Sequence, residues 1–463
     1  MPQQPLSPVP THPHSAGKPS APEHLHQLFS QHGVRDVECL FPDISGYPRG
    51  KLMPGASFLA GTELRICQAI PMQAVTGEYS YNPVFPDSDP DVQLLPDYGS
   101  VSLAPWSSVP RAVAIHDCVE LNGELCQFAP RSILKTVLAN YAALGLSPVV
   151  APEIEFYLTA INADPAQALQ APAVRGGRAE VGQSAFSLNM LNELAPFWNE
   201  FRDACATLGI AADTWIHEVG ATQYEINLMH GDAVAVADQA FLFKYAAREI
   251  ALKHGLNAVF MAKPIAGSSG SSMHLHISVV DAQGSNVFSQ NDGSEGPSFK
   301  HFIAGLQTYG PDLMLMFAPN VNSYRRYVSG SQAPVNLQWG YDNRTTGLRI
   351  PASGPDARRV ENRVAGADAN PYLAIAASLA AGLKGIQAQI NPSEPLLGNG
   401  YGQAHSLPRS MEAALHKMHD SGFARQALGD DFVTGYCAVK TLEFDSFQGE
   451  ISAWERRFLL PQV

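Results

Sequence analysis

Four segments far apart in the chain share one design: polar or ionisable side chains at every second position, with mostly apolar ones between. They are Glu153-Ile154-Glu155-Phe156, Tyr224-Glu225-Ile226-Asn227-Leu228, His274-Leu275-His276-Ile277-Ser278 and Arg359-Val360-Glu361-Asn362-Arg363. A period of two is the mark of a β-strand, in which residues i and i+2 point to one side. One such strand is an ordinary solvated face. Four of them predict a sheet whose apolar side is covered and whose concave polar side holds a charged ligand.

Counting Glu218 and Arg349, which lie just upstream of two of these segments, the polar positions hold five carboxylates (Glu153, Glu155, Glu218, Glu225, Glu361), two imidazoles and several guanidiniums. Neighbouring carboxylates repel unless a cation or water lies between them. Mg²⁺ and Mn²⁺ take carboxylate oxygens and an occasional imidazole, and five carboxylates with one histidine suffice for two such ions. Zinc fits less well, since no thiolate is near. Arg326, Arg344, Arg349, Arg359 and Arg363 suit planar recognition of phosphate and carboxylate. Metals and arginines around phosphates point to phosphoryl transfer, yet neither a P-loop nor the kinase motifs occur.

With 45% hydrophobic and 16% charged residues among 463, the chain can bury a large core. Its net charge of −13 disfavours a nucleic-acid surface and admits cationic ligands. Six scattered cysteines without a CxxC pair read as reduced thiols. Without an apolar run of membrane-spanning length or a signal pattern at the N-terminus, a cytoplasmic protein is expected. Residues 1–22 carry seven prolines and read as a disordered tail, with His12, His14, His24 and His26 as solvated side chains. Short strands and turns follow from Val34 to about Asp117, including the alternating Asp36–Phe41. From Pro130 helices (Ser132–Leu144, Pro196–Leu208, Asp232–His254) alternate with extended segments such as Pro148–Leu158, which predicts an α+β fold.

These stretches, together with Phe260-Met261-Ala262-Lys263-Pro264, Ala318–Arg326, Asn343-Arg344, Leu348–Pro351 and Arg359–Leu373, resemble the glutamine synthetase superfamily, most closely its γ-glutamylpolyamine synthetase branch. The resemblance implies a β-grasp domain (23–125), then a catalytic domain (126–463) with an open antiparallel barrel and outer helices. It also implies a homo-oligomer, a double hexameric ring, with each active site between subunits. Glu155, Glu218 and Glu225 resemble ligands of a first metal, and Glu153, His274 and Glu361 ligands of a second. His276, Ser278, Arg344, Arg349 and Arg359 resemble residues contacting ATP, with Arg344 and Arg359 catalytic. Gly270, Arg326, Gln332 and Arg363 fall at positions that contact glutamate. The implied cofactors are ATP and two or more Mg²⁺ or Mn²⁺ ions. In the implied reaction glutamate's γ-carboxylate takes the γ-phosphate of ATP, and an amine then displaces phosphate.

Departures from the family pattern bear on the acceptor. Ala74–Ser80 lacks the Asp-Gly-Ser-Ser motif whose aspartate helps bind ammonium, and Gly330-Ser331-Gln332-Ala333-Pro334 has Gln332 where a proton-accepting glutamate is usual. Ammonia is therefore disfavoured and an organic amine expected. Ser269-Gly270 replaces an Asn-Gly pair and Ala221-Thr222-Gln223 a Pro-Gly-Gln. Glutamate stays the favoured acid because Arg326 and Arg363 persist. Glu78, Asp87, Asp89 and Asp91 are candidates for binding a second ammonium, and Tyr79, Tyr81, Trp339 and Tyr341 for an alkyl or aromatic slot. A polyamine is the favoured acceptor. The alternatives are a monoamine or aromatic amine, ammonia itself, or a non-catalytic ring-forming relative.

Overall fold

The computed structural model describes residues 21–80, 84–85 and 88–463. The N-terminal sheet contains β1 (Asp36–Pro42), β2 (Pro48–Pro54), β3 (Leu64–Cys67), β4 (Asp91–Pro96), β5 (Ser102–Leu103) and β6 (Arg111–Val119). Its order is β2-β1-β6-β4-β3 with β5 beside β6, and β1 runs parallel to β6. The alternation at 36–41 does not leave one side solvated. Val37 and Cys39 pack with Leu25, Phe29 and Phe58, while Leu40, Val113 and Ile115 join the main core. Ala21 is buried in the smaller cluster, its N–H donating to Leu59 O at 3.2 Å. Ala21, expected within a tail over 1–22, is thus packed instead, and residues 1–20 lie outside the described residues. His24 and His26 are exposed on the helix Glu23–His32.

The second sheet contains β7 (Leu146–Ala160), β8 (Ala212–His217), β9 (Gln223–Leu228), β10 (Gly231–Asp232), β11 (Leu256–Val259), β12 (Met273–Asp281), β13 (Trp339–Tyr341), β14 (Leu348–Ile350) and β15 (Val360–Asn362). Its order is β13-β14-β15-β12-β7-β9-β8, with β10 and β11 also on β7. The expected antiparallel barrel needs correcting, because β13 and β14 run parallel and the curled sheet is mixed. Parallel neighbours usually need a long crossover. Here β13 is three residues long, so residues 342–347 suffice to bring the chain back to its start. Asn343 pins that loop, donating to Gly398 O at 2.7 Å and accepting from Thr345 N at 3.0 Å.

Helices cover the apolar side. Pro130–Ala142, Ala195–Thr207 and Ala233–Lys253 fall within two residues of the segments expected. Pro371–Ala388 is almost wholly buried and packs on Pro297–Tyr309 through glycines: a Cβ on Gly385 would lie 2.1 Å from His301 O. No helix among the described residues is long and apolar enough to cross a membrane. All six cysteines are free and five are buried. Arg131 ties the N-terminal sheet to the helices behind the second, its guanidinium donating to Asp97 and Asp117 and, on the helix Ala233–Lys253, to Asp238, at 2.6–3.0 Å.

Candidate active site

Strand register, rather than sequence proximity, assembles the polar face. Across β12-β7-β9, His274 lies opposite Glu153 and Glu153 opposite Asn227. One step along, Glu155 faces Glu225, which faces Ile216 on β8. Towards the other edge His276 pairs with Glu361 and Glu361 with Arg349. The alternate residues Ile154, Phe156, Ile226, Leu275 and Ile277 sit in the core beneath. A one-residue slip would exchange the two sets, so burial of the apolar set fixes the polar one.

The ionisable groups line a cavity of about 540 Å³, which takes in all six expected metal ligands together with Gly270, Arg326, Gln332, Arg344, Arg349 and Arg363. His276, Ser278 and Arg359 instead line an adjoining cavity of about 340 Å³. Glu153 and Asn227 belong to both walls. The expected ATP contacts are thus divided between two cavities that share Glu153 and Asn227 as a wall.

Donor atoms of Glu153, His274 and Glu361 lie within 4.8 Å of one another, and so do those of Glu155, Glu225 and His274. The first set is the group expected for one ion. In the second His274 takes the place expected for Glu218, which lines the same cavity but stands outside the tight cluster. Ser272 anchors Glu155, donating from N at 2.8 Å and from Oγ at 2.6 Å. Glu153 lies 2.8 Å from His276 Nε2 and 3.2 Å from His274 Nδ1. The buried Glu361 accepts from Arg349 and Arg363.

The electrostatics divide the carboxylates. Burial would raise Glu153, but hydrogen bonds to His274 and His276 outweigh it and hold it below the usual range. Burial likewise opposes Glu361, and the Arg363 charge prevails to lower it. Glu225 has no such partner: burial, then Glu155, Glu153, Glu218 and Glu361, push it up to about 10. Burial and Glu155 push Glu218 up to about 7. Burial also raises Glu155 despite its bonds to Ser272. Buried carboxylates short of positive charge, beside an Asn227 Oδ1 that is buried without a partner, are a donor set suited to hard divalent cations.

The arginines differ in how far they are committed. Arg326 is buried and donates to Val364 O and Arg363 O at 2.8 and 2.9 Å. Arg363 keeps a buried Nε without a partner. Arg359 Nε donates to His276 Nδ1 at 3.1 Å. Gly270 has a steric reason to be glycine, since a Cβ there would lie 2.8 Å from Arg326 Cγ. Gln332 is exposed and left-handed (φ +63°), and its carbonyl lies 3.4 Å from Arg363 NH2. Thr222 also lies in the region that favours glycine (φ +51°), held there by Glu180 Oε2 on its N–H at 2.9 Å.

Within the single chain, the described side chains expected to form an acceptor slot line neither of these two cavities. Trp339 is buried and donates to Ser393 O at 2.7 Å, while Tyr341 donates to Glu295 at 2.7 Å. Tyr79 and Asp91 line a separate cleft on the N-terminal sheet. Glu78 accepts from Thr76 and Asp89 from Ala69 N. Tyr81 and Asp87 lie outside the described residues. Asn227 and Ser272 were missed as site residues. The alternation in β9 already put Asn227 beside Glu225, and the alternation before β12 puts Ser272 on the side of His274; what it leaves open is that Ser272 meets Glu155, 117 positions away.

A curled sheet that gathers carboxylates, imidazoles and guanidiniums into paired cavities defines a class: residues 127–459 match the glutamine synthetase catalytic domain, and the chain belongs to the glutamine synthetase family. It is 37% identical to a glutamate–isopropylamine ligase of Pseudomonas sp over 79% of this chain and 80% of that one. It is 35% identical to the γ-glutamylputrescine synthetase PuuA of Escherichia coli K12, over 92% and 91%. Identity to the γ-glutamylethanolamide synthetase GlnA4 of Streptomyces coelicolor is 31%, over 95% of each. Among solved structures, one described as a GmaS/ADP complex superposes with a TM-score of 0.81 at 28% identity, covering 94% of this chain and 99% of the other.

Proposed function

We propose that the protein is an ATP-dependent ligase joining the γ-carboxylate of glutamate to an organic primary amine. The observation that carries this reading is the convergence of five carboxylates, His274 and four arginines on one cavity that adjoins a second through Glu153 and Asn227. In the first step a γ-carboxylate oxygen attacks the γ-phosphorus of ATP, and ADP leaves. In the second the amine nitrogen forms the N–C bond as the C–O bond to phosphate breaks, and the amine gives up a proton. Arg344, Arg349 and Arg359 offset the phosphate charge, with His276 and Ser278 on the nucleotide side. Arg363, with its free Nε, and Arg326 hold glutamate's carboxylate, and Gly270 and Gln332 border it. Glu155, Glu218, Glu225, Glu153, His274 and Glu361 would hold two or more Mg²⁺ or Mn²⁺ ions, which supply positive charge to the transferring phosphoryl group.

Relatives named for isopropylamine, putrescine and ethanolamine support an organic acceptor. Gln332 supports it too, having no carboxylate to take a proton from ammonium. The same reading takes 23–125 as a β-grasp domain, 126–463 as the catalytic domain and the assembly as a cytoplasmic double hexameric ring. Light scattering checks the assembly. Incubation with ATP, Mg²⁺, glutamate and a panel of amines tests the reaction by mass spectrometry. Product with organic amines is expected; turnover with ammonium alone returns the protein to glutamine synthesis, and full activity after Glu155→Ala removes the metal assignment.

A further inference from the structure

Beside Glu218 the cavity wall turns apolar. Ile216 shares its face of the strand, because Trp215 and His217 point back into an aromatic cluster with Trp198, Phe201 and Tyr224. Val219 and Phe186 complete the wall. Phe186 is unusual on two counts: it is 75% exposed, and its backbone is left-handed (φ +60°), a conformation costly for a bulky residue. The loop carrying it is fastened to the strand beneath at several points. Phe186 N–H donates to His217 O at 2.8 Å, Gln183 N–H donates to Val219 O at 2.7 Å, and Glu180 lies 3.1 Å from His217 Nε2. An aromatic ring is thus held at the cavity by a braced, strained loop without being packed into the core.

We propose that Phe186, Ile216 and Val219 form the binding wall for the acceptor's substituent, and that the acceptor is a short primary monoamine with an apolar chain. The inference rests on the ligase reading above and deepens it. Glu218 and the carboxylates behind it attract the ammonium end, and the alkyl chain lies along the wall. Of the five carboxylates lining the cavity only Glu218 adjoins the wall, where the ammonium end would sit, and no other acidic residue among the described residues lines it. A diamine's far ammonium would lose water there without gaining a partner.

The test measures kcat and KM of the full chain with hydroxylamine, n-propylamine and 1,4-diaminobutane as acceptors. Hydroxylamine needs no alkyl wall. The expected kcat/KM for n-propylamine exceeds that for 1,4-diaminobutane at least tenfold. Phe186→Ala raises the KM for n-propylamine about tenfold, a shift typical of lost apolar contact, with a much smaller effect on the KM for hydroxylamine and ATP. Phe186→Leu restores most of the preference, and Phe186→Asp shifts it towards the diamine. Equal or better use of the diamine by the wild type overturns the proposal, as does a Phe186→Ala effect of the same size on all three acceptors. Hydroxamate without propylamide overturns the wall alone; no product with any acceptor overturns the ligase reading and the wall with it.

Discussion

Ser272 grips Glu155 at both oxygens, donating from its backbone N at 2.8 Å and its hydroxyl at 2.6 Å. Partners that orient a metal-binding carboxylate typically contribute 10- to 100-fold in affinity. Ser272→Ala keeps the backbone bond and loses the hydroxyl one. Mn²⁺ affinity measured by calorimetry is expected to fall roughly tenfold, at the lower end of that range, with an unchanged circular dichroism spectrum. An unaltered affinity would remove Glu155 from the metal set.

Glu225 and Glu218 make stability depend on pH in a definite direction. Both ordinarily lose their protons near 4.5, but burial and neighbouring carboxylates raise them to about 10 and about 7 in the fold. The native state therefore keeps protons that the unfolded chain releases. Their contribution is complete below about pH 4.5 and declines as pH rises, Glu218's through about 7 and Glu225's through about 10. Metal-free protein should melt at progressively lower temperature from about pH 5 to about pH 8, and the increment from saturating Mn²⁺ should grow over the same interval. Scanning calorimetry in EDTA and in Mn²⁺ decides it; an increment that shrinks with pH contradicts the assignment.

Arg131, itself 3% exposed, pairs with three aspartates between the N-terminal sheet and the helix Ala233–Lys253, with Lys135 adding a second cation at Asp117. Removing one member of such a network strands buried charge, at a cost of about 3–5 kcal/mol. Arg131→Ala should lower the apparent melting temperature by several degrees and give little soluble protein at 37 °C. A variant as stable as the parent would mean that water replaces the guanidinium.

Gly270→Ala is expected to act through Arg326. The added Cβ would lie 2.8 Å from Arg326 Cγ and 2.9 Å from Ala262 O, so the arginine must shift. The KM for glutamate should rise tenfold or more, since misplacing a positioning group by about 1 Å can cost on the order of a hundredfold. The KM for ATP should change little. Equal changes in both would point to general distortion of the site.

Much of this site was legible in the chain because it rests on strands. A period of two sorts side chains locally, so Glu153, Glu155, Glu225, His274, His276 and Glu361 could be grouped without knowing which strands pair. Helices at 130–142, 195–207 and 233–253 were legible for the same reason, each stating its own period. The acceptor slot was not. Trp339 and Tyr341 have the composition of a binding slot, but Ser393 and Glu295 engage them away from either cavity.

The sequence by itself determined which residues share a face, because alternation is written within each segment. Only the tertiary structure decided which faces meet. The β12-β7-β9 register brings His274, Glu153 and Asn227 into one row, and Ser272 reaches Glu155 across 117 positions. It also divided the basic residues between two cavities and set Phe186 at the wall beside Glu218. Those outcomes depend on hydrogen-bond register and on loops closing over long separations, and neither leaves a local trace in the chain.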